Sequence, residues 1–390
     1  MMKKVSLALL IFLIAVSGST MLYAQNTANP IVTVVPFLTI APDSRSGGMG
    51  DAGVATSPDM YSMHWNPAKF AFIEGNGGIG LSYTPWLRNL VPDMNIAYLT
   101  GYYRIDSKQV ISSSLLYNYM GEIQGTDEFG NPTLNYKANE FAFDAAYSRL
   151  LTDHFSGGIA FRFIYSNLTG GSSASGIPTK PGTSFAADIS GLYQNKMNPF
   201  SKDGEWRFGF NFSNIGSKMT YSEEKAADFI PMNMRVGAAG SIFLDSRNKL
   251  TLTLDLNKLL VPTPPVYDDN GVITDGMDPN VSVPVAIIHS FYDAPGGFKE
   301  EMQEIMYATG VEYWYNNQFA IRTGYFHENQ NKGNRQYFTV GAGFKLNIFA
   351  LDFSYLIPTA QNNPLARTVR FSLAFDFINP KGKSEPKNKG

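Results

Sequence analysis

The chain has no cysteine, and that absence excludes disulfides, zinc thiolate sites, thiol nucleophiles and a lipidated N-terminal cysteine. Positive charge is not in excess either. With 31 Lys and Arg against 33 Asp and Glu, the basic footprint of a nucleic-acid binder is missing. Long hydrophobic runs are also lacking. The stretch Val5 to Val16, behind Lys3 and Lys4, falls well short of the roughly 20 residues a helix needs to cross a bilayer. A mean hydropathy of −0.14 excludes a bundle of membrane helices. Small and polar residues follow the stretch as far as Ala24, so residues 1–24 read as a secretory signal peptide. Catalytic motifs are absent as well. His64, His154, His289 and His327 are scattered, with no HExxH and no GxSxG around them, and the chain is expected to be no enzyme and to hold no cofactor or metal. In "YDDNGVITDG" at 267–276, Val272 stands where a calcium loop needs an oxygen ligand, so the stretch reads as an Asn-Gly turn in an acidic loop.

What the chain does contain is aromatic residues and glycine: 28 Phe, 21 Tyr and 36 Gly. From Gly77 onward these fall into segments of strict two-residue alternation, the mark of a two-faced strand. Val369, Phe371, Leu373, Phe375 and Phe377 alternate with Arg370, Ser372, Ala374 and Asp376. Trp206, Phe208, Phe210 and Phe212 alternate with Arg207, Gly209, Asn211 and Ser213, and Leu250 to Leu256 repeats the pattern around Thr251, Thr253 and Asp255.

Many of these strands reach ten residues or more, longer than most strands of a soluble sandwich. Fourteen are expected, at 77–84, 94–104, 109–120, 137–150, 154–167, 181–195, 205–214, 231–245, 248–260, 303–316, 318–328, 334–346, 348–356 and 367–378. Their connections alternate short and long, with one moderate exception at 196–204, as in outer-membrane barrels with tight periplasmic turns and long outer loops. The fold class is therefore all-β: a 14-stranded antiparallel transmembrane outer-membrane barrel over 77–378, with both termini periplasmic and a basic tail at 379–390. Arg162, Asp144, Asp188, Asp255, Asp352 and Asp376 fall on the polar faces of their strands, where the lumen is expected. Trp86, Tyr102, Tyr103, Tyr313, Trp314 and Tyr315 sit near strand ends, as interfacial girdles do.

Upstream of the strands, Gly48, Gly50 and Gly53 spell the GxGxxG of a dinucleotide-binding turn. Its context is wrong. Pro36 and Pro42 interrupt the apolar run before it, and Glu74 lies in a glycine-rich turn rather than at a strand tip. The stretch is instead expected to be a compact, closely packed segment with a short helix over Met49 to Ala55. The link at 261–302 is the longest, with five prolines, the apolar "VSVPVAIIHSFYDAPGGF", and "FKEEMQEIM", in which Phe298, Met302, Ile305 and Met306 fall on one helical face. Loops of this length usually carry function.

"FLTIAPDSRSGGMGDAGVATSPDMYSMHWNPAKFAF", together with "DAPGGFKEEMQEIMYATGVEYWYNNQFAIRTGYFHENQNKGNRQYFTVGAGFKLN", resembles the PorV family, outer-membrane barrels of the type IX secretion system of Bacteroidetes, within the wider FadL-like group. The resemblance implies a plug or hatch over 25–76 folded into the lumen, with Gly48, Gly50 and Gly53 inside it and Asn66 and Pro67 marking its exit. It also implies a non-enzymatic role: binding cargo that carries a C-terminal sorting domain at the translocon barrel, and shuttling it to the surface attachment complex with its PorU-like sortase. Outer-membrane lipid and lipopolysaccharide would surround the barrel. By that analogy Tyr267, Ile287, Phe291 and Phe298 in the long loop, with Phe229 and Ile230 in the loop before the eighth strand, are the expected partner-binding residues. The alternative is a FadL-like channel for hydrophobic small molecules. A lipopolysaccharide hydrolase would need a Ser–His pair near the outer lipid boundary, for which His327 is the candidate.

Overall fold

The computed structural model describes residues 28–377 apart from 127, 128, 130, 171–177 and 362; the expected signal peptide and the basic tail lie outside the described residues. The chain forms β1 (Gly77–Pro85), β2 (Asn95–Arg104), β3 (Gln109–Thr126), β4 (Pro132–Leu150), β5 (Phe155–Asn167), β6 (Gly182–Met197), β7 (Gly204–Gly216), β8 (Asn233–Phe243) and β9 (Asn248–Leu259). After the small hairpin of β10 (Val266–Tyr267) and β11 (Ile273–Asp275) come β12 (Met306–Tyr315), β13 (Phe319–His327), β14 (Gln336–Leu346), β15 (Phe349–Pro358) and β16 (Val369–Asp376). All but β10 and β11 join one closed barrel in which each strand pairs antiparallel with its sequence neighbours and β16 returns to β1, Leu81 opposite Leu373. Closure leaves no unpaired edge.

The fourteen expected strands are the fourteen barrel strands. The largest disagreement in bounds is between the third and fourth, where β3 runs on to Thr126 and β4 starts at Pro132. Their pairing continues through Glu122↔Lys137 and Gln124↔Asn135, beyond Asn95↔Tyr119 and Asn139↔Asn167 where the flanking strands stop. Along this extension the burial of β3 no longer alternates, which is why periodicity did not mark it.

Burial inverts the soluble pattern. Ile79, Leu81, Phe161, Phe185, Leu252, Ile321, Phe353 and Phe371 are exposed, whereas Ser82, Thr100, Asp144, Arg162, Asp188, Asp255, Glu312, Arg322, Asp352 and Arg370 are buried. The polar-face assignments from the sequence hold for Arg162, Asp144, Asp188, Asp255 and Asp352, and Asp376 accepts a bond from the Tyr102 hydroxyl. The short turns share one design: Asp106 accepts the amides of Lys108 and Gln109, and Asp245 those of Arg247 and Asn248. Asn316 and Asn317, both at positive φ, close β12 onto β13, a conformation asparagine tolerates.

Candidate functional site

Residues 28–76 run the length of the barrel. At the long-loop end, Asn29 donates its amide to Asn331 O, and Val34 donates to Phe229 O. At the short-turn end, Ser148 Oγ donates to Pro67 O and Ser156 Oγ to Ala68 O, both at 2.7 Å, and Arg104 reaches Gly75 O and Ile73 O. The strand ends Gly77 and Asp376 lie together, as expected. The first described residues lie at the opposite end, and the segment threads from the long loops to the turns before β1 begins.

The glycine motif is where this segment and the wall approach most closely. Gly50 has φ 69°, and a Cβ there would lie 2.6 Å from Tyr325 N and 2.8 Å from Thr309 O. The wall matches it with glycines of its own. A Cβ on Gly310 would meet Met49 O at 2.6 Å, one on Gly324 would overlap the Met49–Gly50 peptide, and one on Gly48 would come 3.2 Å from the Gly341 Cα. Gly53 packs under Trp65, and its amide, with that of Val54, donates to Asp255 Oδ2. The helix here is Ser44–Gly47, capped by Asp43; Met49 to Ala55 is turn and coil, because a positive-φ glycine at 50 ends helical geometry. Asn66 and Pro67 stand at the short-turn end, between the helix Ser62–Trp65 and the next short helix. Asn66 caps the 3-10 helix Pro67–Phe72 and donates to Val54 O and Gly191 O, while Pro67 takes the first helical position, where it lacks no needed donor. Arg45 is held by Asp59 at 2.7 Å and Glu312 at 2.9 Å, and Arg322 joins Glu312 to Asp352. These buried pairs tie residues 43–59 to β12, β13 and β15.

The long link is fixed to the rim by a second buried network. Glu304 accepts Lys258 Nζ at 2.5 Å, Lys332 Nζ at 2.9 Å and Thr263 Oγ1 at 2.7 Å. Lys258 also meets Glu301, Lys332 meets Glu300, and Glu300 takes the side-chain amide of Asn29. Buried Asp293 accepts the Thr263 amide, and burial pushes its carboxyl up to about 6, with Glu301 and Glu304 adding to the rise. Sequence reasoning missed this network. Its members lie up to 271 positions apart, and only the alternation break at Lys258, buried at a strand end, hints at it.

On this anchored link the expected partner residues separate. Phe298 is 81 % exposed at the start of the helix Phe298–Gln303, Phe291 and Tyr267 are about half exposed, and Lys258 lies 5.9 Å from the Phe291 ring. Ile287, on the helix Val283–His289, packs partly against the buried core, and Phe229 lies under Lys218. Ile230 is 1 % exposed and presents no surface. Ile305 and Met306 do not share a helix face with Phe298 and Met302, since the helix stops at Gln303 and Met306, buried, opens β12. Ile288 and Tyr292, not singled out from the sequence, are exposed beside Phe291. Asp268 shapes the β10–β11 turn by accepting the amides of Asn270 and Val272. His327 meets the Tyr325 hydroxyl, and His154 is exposed in its turn.

The sequence matches the family described as Type IX secretion system protein PorV over residues 23–266. No curated protein matches it. Among solved structures, the Pseudomonas putida toluene transporter TodX is similar over 89 % of this chain and 98 % of its own, with 10 % identity and a TM-score of 0.49. The Ralstonia pickettii toluene transporter TbuX covers 86 % and 97 %, with 11 % identity and a TM-score of 0.44. A Pseudomonas aeruginosa FadL homologue covers 90 % and 100 %, with 11 % identity and a TM-score of 0.43.

Proposed function

The chain belongs to the family of Type IX secretion system protein PorV, and from that premise we propose that it receives secreted cargo bearing a C-terminal sorting domain at the translocon barrel and passes it to a PorU-like attachment complex. Family membership gives the role in type IX secretion at the outer membrane. The finer reading rests on one observation: aromatic side chains at 267, 291 and 298 stand exposed on a loop that buried ion pairs hold to the barrel rim. A pre-ordered apolar surface loses little entropy on binding, which suits a docking face.

In this reading the exposed apolar belt meets lipid, the long loops face outward, and residues 25–76 plug the lumen. The plug is supported by the glycine contacts and by the pairs from Arg45 and Asp255. A hydrophobic channel would have to move this segment against those contacts. No catalytic role is proposed. The test is deletion of the gene followed by localisation of proteins with the C-terminal sorting domain. Their retention in the periplasm is expected, and arrival at the surface in normal amount would overturn the proposal. Crosslinking from 291 and 298 in intact outer membrane should capture translocon or cargo.

A further inference from the structure

On the outside of the barrel the exposed side chains of β1 to β5 stand in rows across the strands, and one row is out of character. Strand register sets Gly101, Ser113 and Ala145 side by side on β2, β3 and β4, with Ile79 and Phe161 at the two ends of the row. Two residues toward the long loops the row is Leu99, Leu115 and Phe143, and two residues toward the short turns it is Tyr103, Ile111 and Tyr147. Three small residues between rows of large ones leave a pit, part of a surface cavity of about 1050 Å³ walled by Ile79, Tyr103, Ile111, Phe143, Ile159 and Phe161. The Ser113 hydroxyl on its floor donates to Asp144 O, so the floor offers no free polar group. Behind the floor the ladder is unbroken, and Ser112, Ser114 and Ala146 are buried on the inner side, so the pit opens outward alone.

One row nearer the short turns, Gln109 and Arg149 pair across β3 and β4, with Lys108 beside them accepting the Leu150 amide on its carbonyl. The Tyr147 hydroxyl donates to Gln109 Oε1, which holds that ring in the lower wall of the pit. Asp106, the acid that acts on Arg149, already accepts the amides of Lys108 and Gln109 and the Gln109 side chain. Among the described residues neither Lys108 nor Arg149 joins a salt bridge. Arg149 is four residues from Ala145, about 13 Å along the strand.

We propose that the pit and this basic edge retain one anionic phospholipid of the leaflet at the short-turn end, with an acyl chain lying on Gly101, Ser113 and Ala145 and the phosphate at Arg149 and Lys108. A chain in the pit touches a floor and two walls, where a chain on the convex barrel touches one surface, and dispersion attraction grows with the number of such contacts. The basic edge selects the occupant. An apolar pit alone takes any hydrocarbon, whereas cations within a headgroup's reach of it match an amphiphile with an anionic head, which the arginine fork binds through two oxygens. The inference rests on the reading that the exposed apolar belt meets lipid.

The test places the full-length protein in nanodiscs of equal phosphatidylglycerol and phosphatidylcholine, releases it into detergent, and reads by native mass spectrometry which phospholipid stays bound. The wild type should retain one phosphatidylglycerol, preferred about fivefold to thirtyfold, the effect of one or two basic side chains at an anionic surface. Ser113→Phe and, separately, Ala145→Phe fill the pit with the kind of side chain its neighbours already present outward, and each should close as a barrel and lose the bound lipid. Joint Lys108→Gln and Arg149→Gln should keep a lipid and lose the preference. The belt reading is checked apart from the pit: brominated phosphatidylcholine should quench Trp206, exposed on β7, and Trp206→Phe should remove that quenching. Absence of quenching sinks the belt reading, whereas quenching with no retained lipid sinks the pit proposal alone. Equal retention of the two lipids by the wild type, or unchanged retention in closed filling variants, would also overturn it. So would capture of a second protein, in place of lipid, by a sole thiol introduced as Ser113→Cys. If neither filling variant closes, the wild-type preference and the charge variant decide it.

Discussion

Replacing Glu304 by Gln should release the long link from the barrel rim while the barrel stays closed. Glu304 is buried and joins Lys258 Nζ at 2.5 Å, Lys332 Nζ at 2.9 Å and Thr263 Oγ1 at 2.7 Å. The amide keeps an acceptor for one of these groups, so the loss is about two charge-assisted contacts at roughly 1.5 kcal/mol each. Each lysine retains a carboxylate, Glu301 or Glu300, which keeps the cost below that of a fully stranded buried charge. A local cost of about 3 kcal/mol corresponds to an opening constant raised roughly 150-fold. Amide exchange in 283–303 should accelerate by that factor, while exchange in β13 to β15 should not change, because strand pairing does not pass through Glu304. A Lys258→Met, Glu304→Leu double variant should recover much of the protection, since apolar groups can replace a buried pair without stranding a charge. Wild-type exchange in Glu304→Gln, or acceleration spread equally over the barrel, would refute the claim that this network holds the loop.

Further predictions concern the loop, the segment and the exposed aromatics. Asp293 titrates from an ordinary 3.8 to about 6 in the folded chain, so its protonated form favours the closed loop: the contribution is full below 3.8 and lost as pH rises through 6. Proteolysis within 266–276 should therefore be faster at pH 7.5 than at pH 5, and Asp293→Asn should flatten the difference. Gly50→Ala adds a Cβ at positive φ against Tyr325 and Thr309 backbone, costing about 1–3 kcal/mol, and should lower the temperature at which the barrel unfolds on a heat-modifiability gel; an unchanged transition would refute the close approach. Phe298→Asp and Phe291→Asp should cut cargo crosslinking without affecting barrel assembly. Ile230→Asp should instead impair assembly, because that side chain is buried.

Alternation over 77–378 carried the fold, since a strand with an exposed apolar face and a buried polar one must repeat every two residues. It therefore gave the strand number, the order of short and long connections and the polar face of Arg162, Asp144 and Asp255. The same alternation placed Asp255 on a polar face without showing that it accepts the amides of Gly53 and Val54, because that contact exists only when the barrel closes around the segment. The helix expected at Met49–Ala55 shows the limit of local reasoning: small residues permit a helix, but a backbone pressed between Gly310 and Gly324 takes the geometry the wall leaves. The glycines were legible as close packing, and their partners were not, since Gly50 and Tyr325 are 275 positions apart. Tertiary structure also decided which apolar loop residues are surface and which are core. Phe298 and Ile230 look alike as letters, and a buried cluster of lysines and glutamates, invisible to periodicity, holds one link in the position that exposes the first, while Ile230 packs into the core at the barrel mouth.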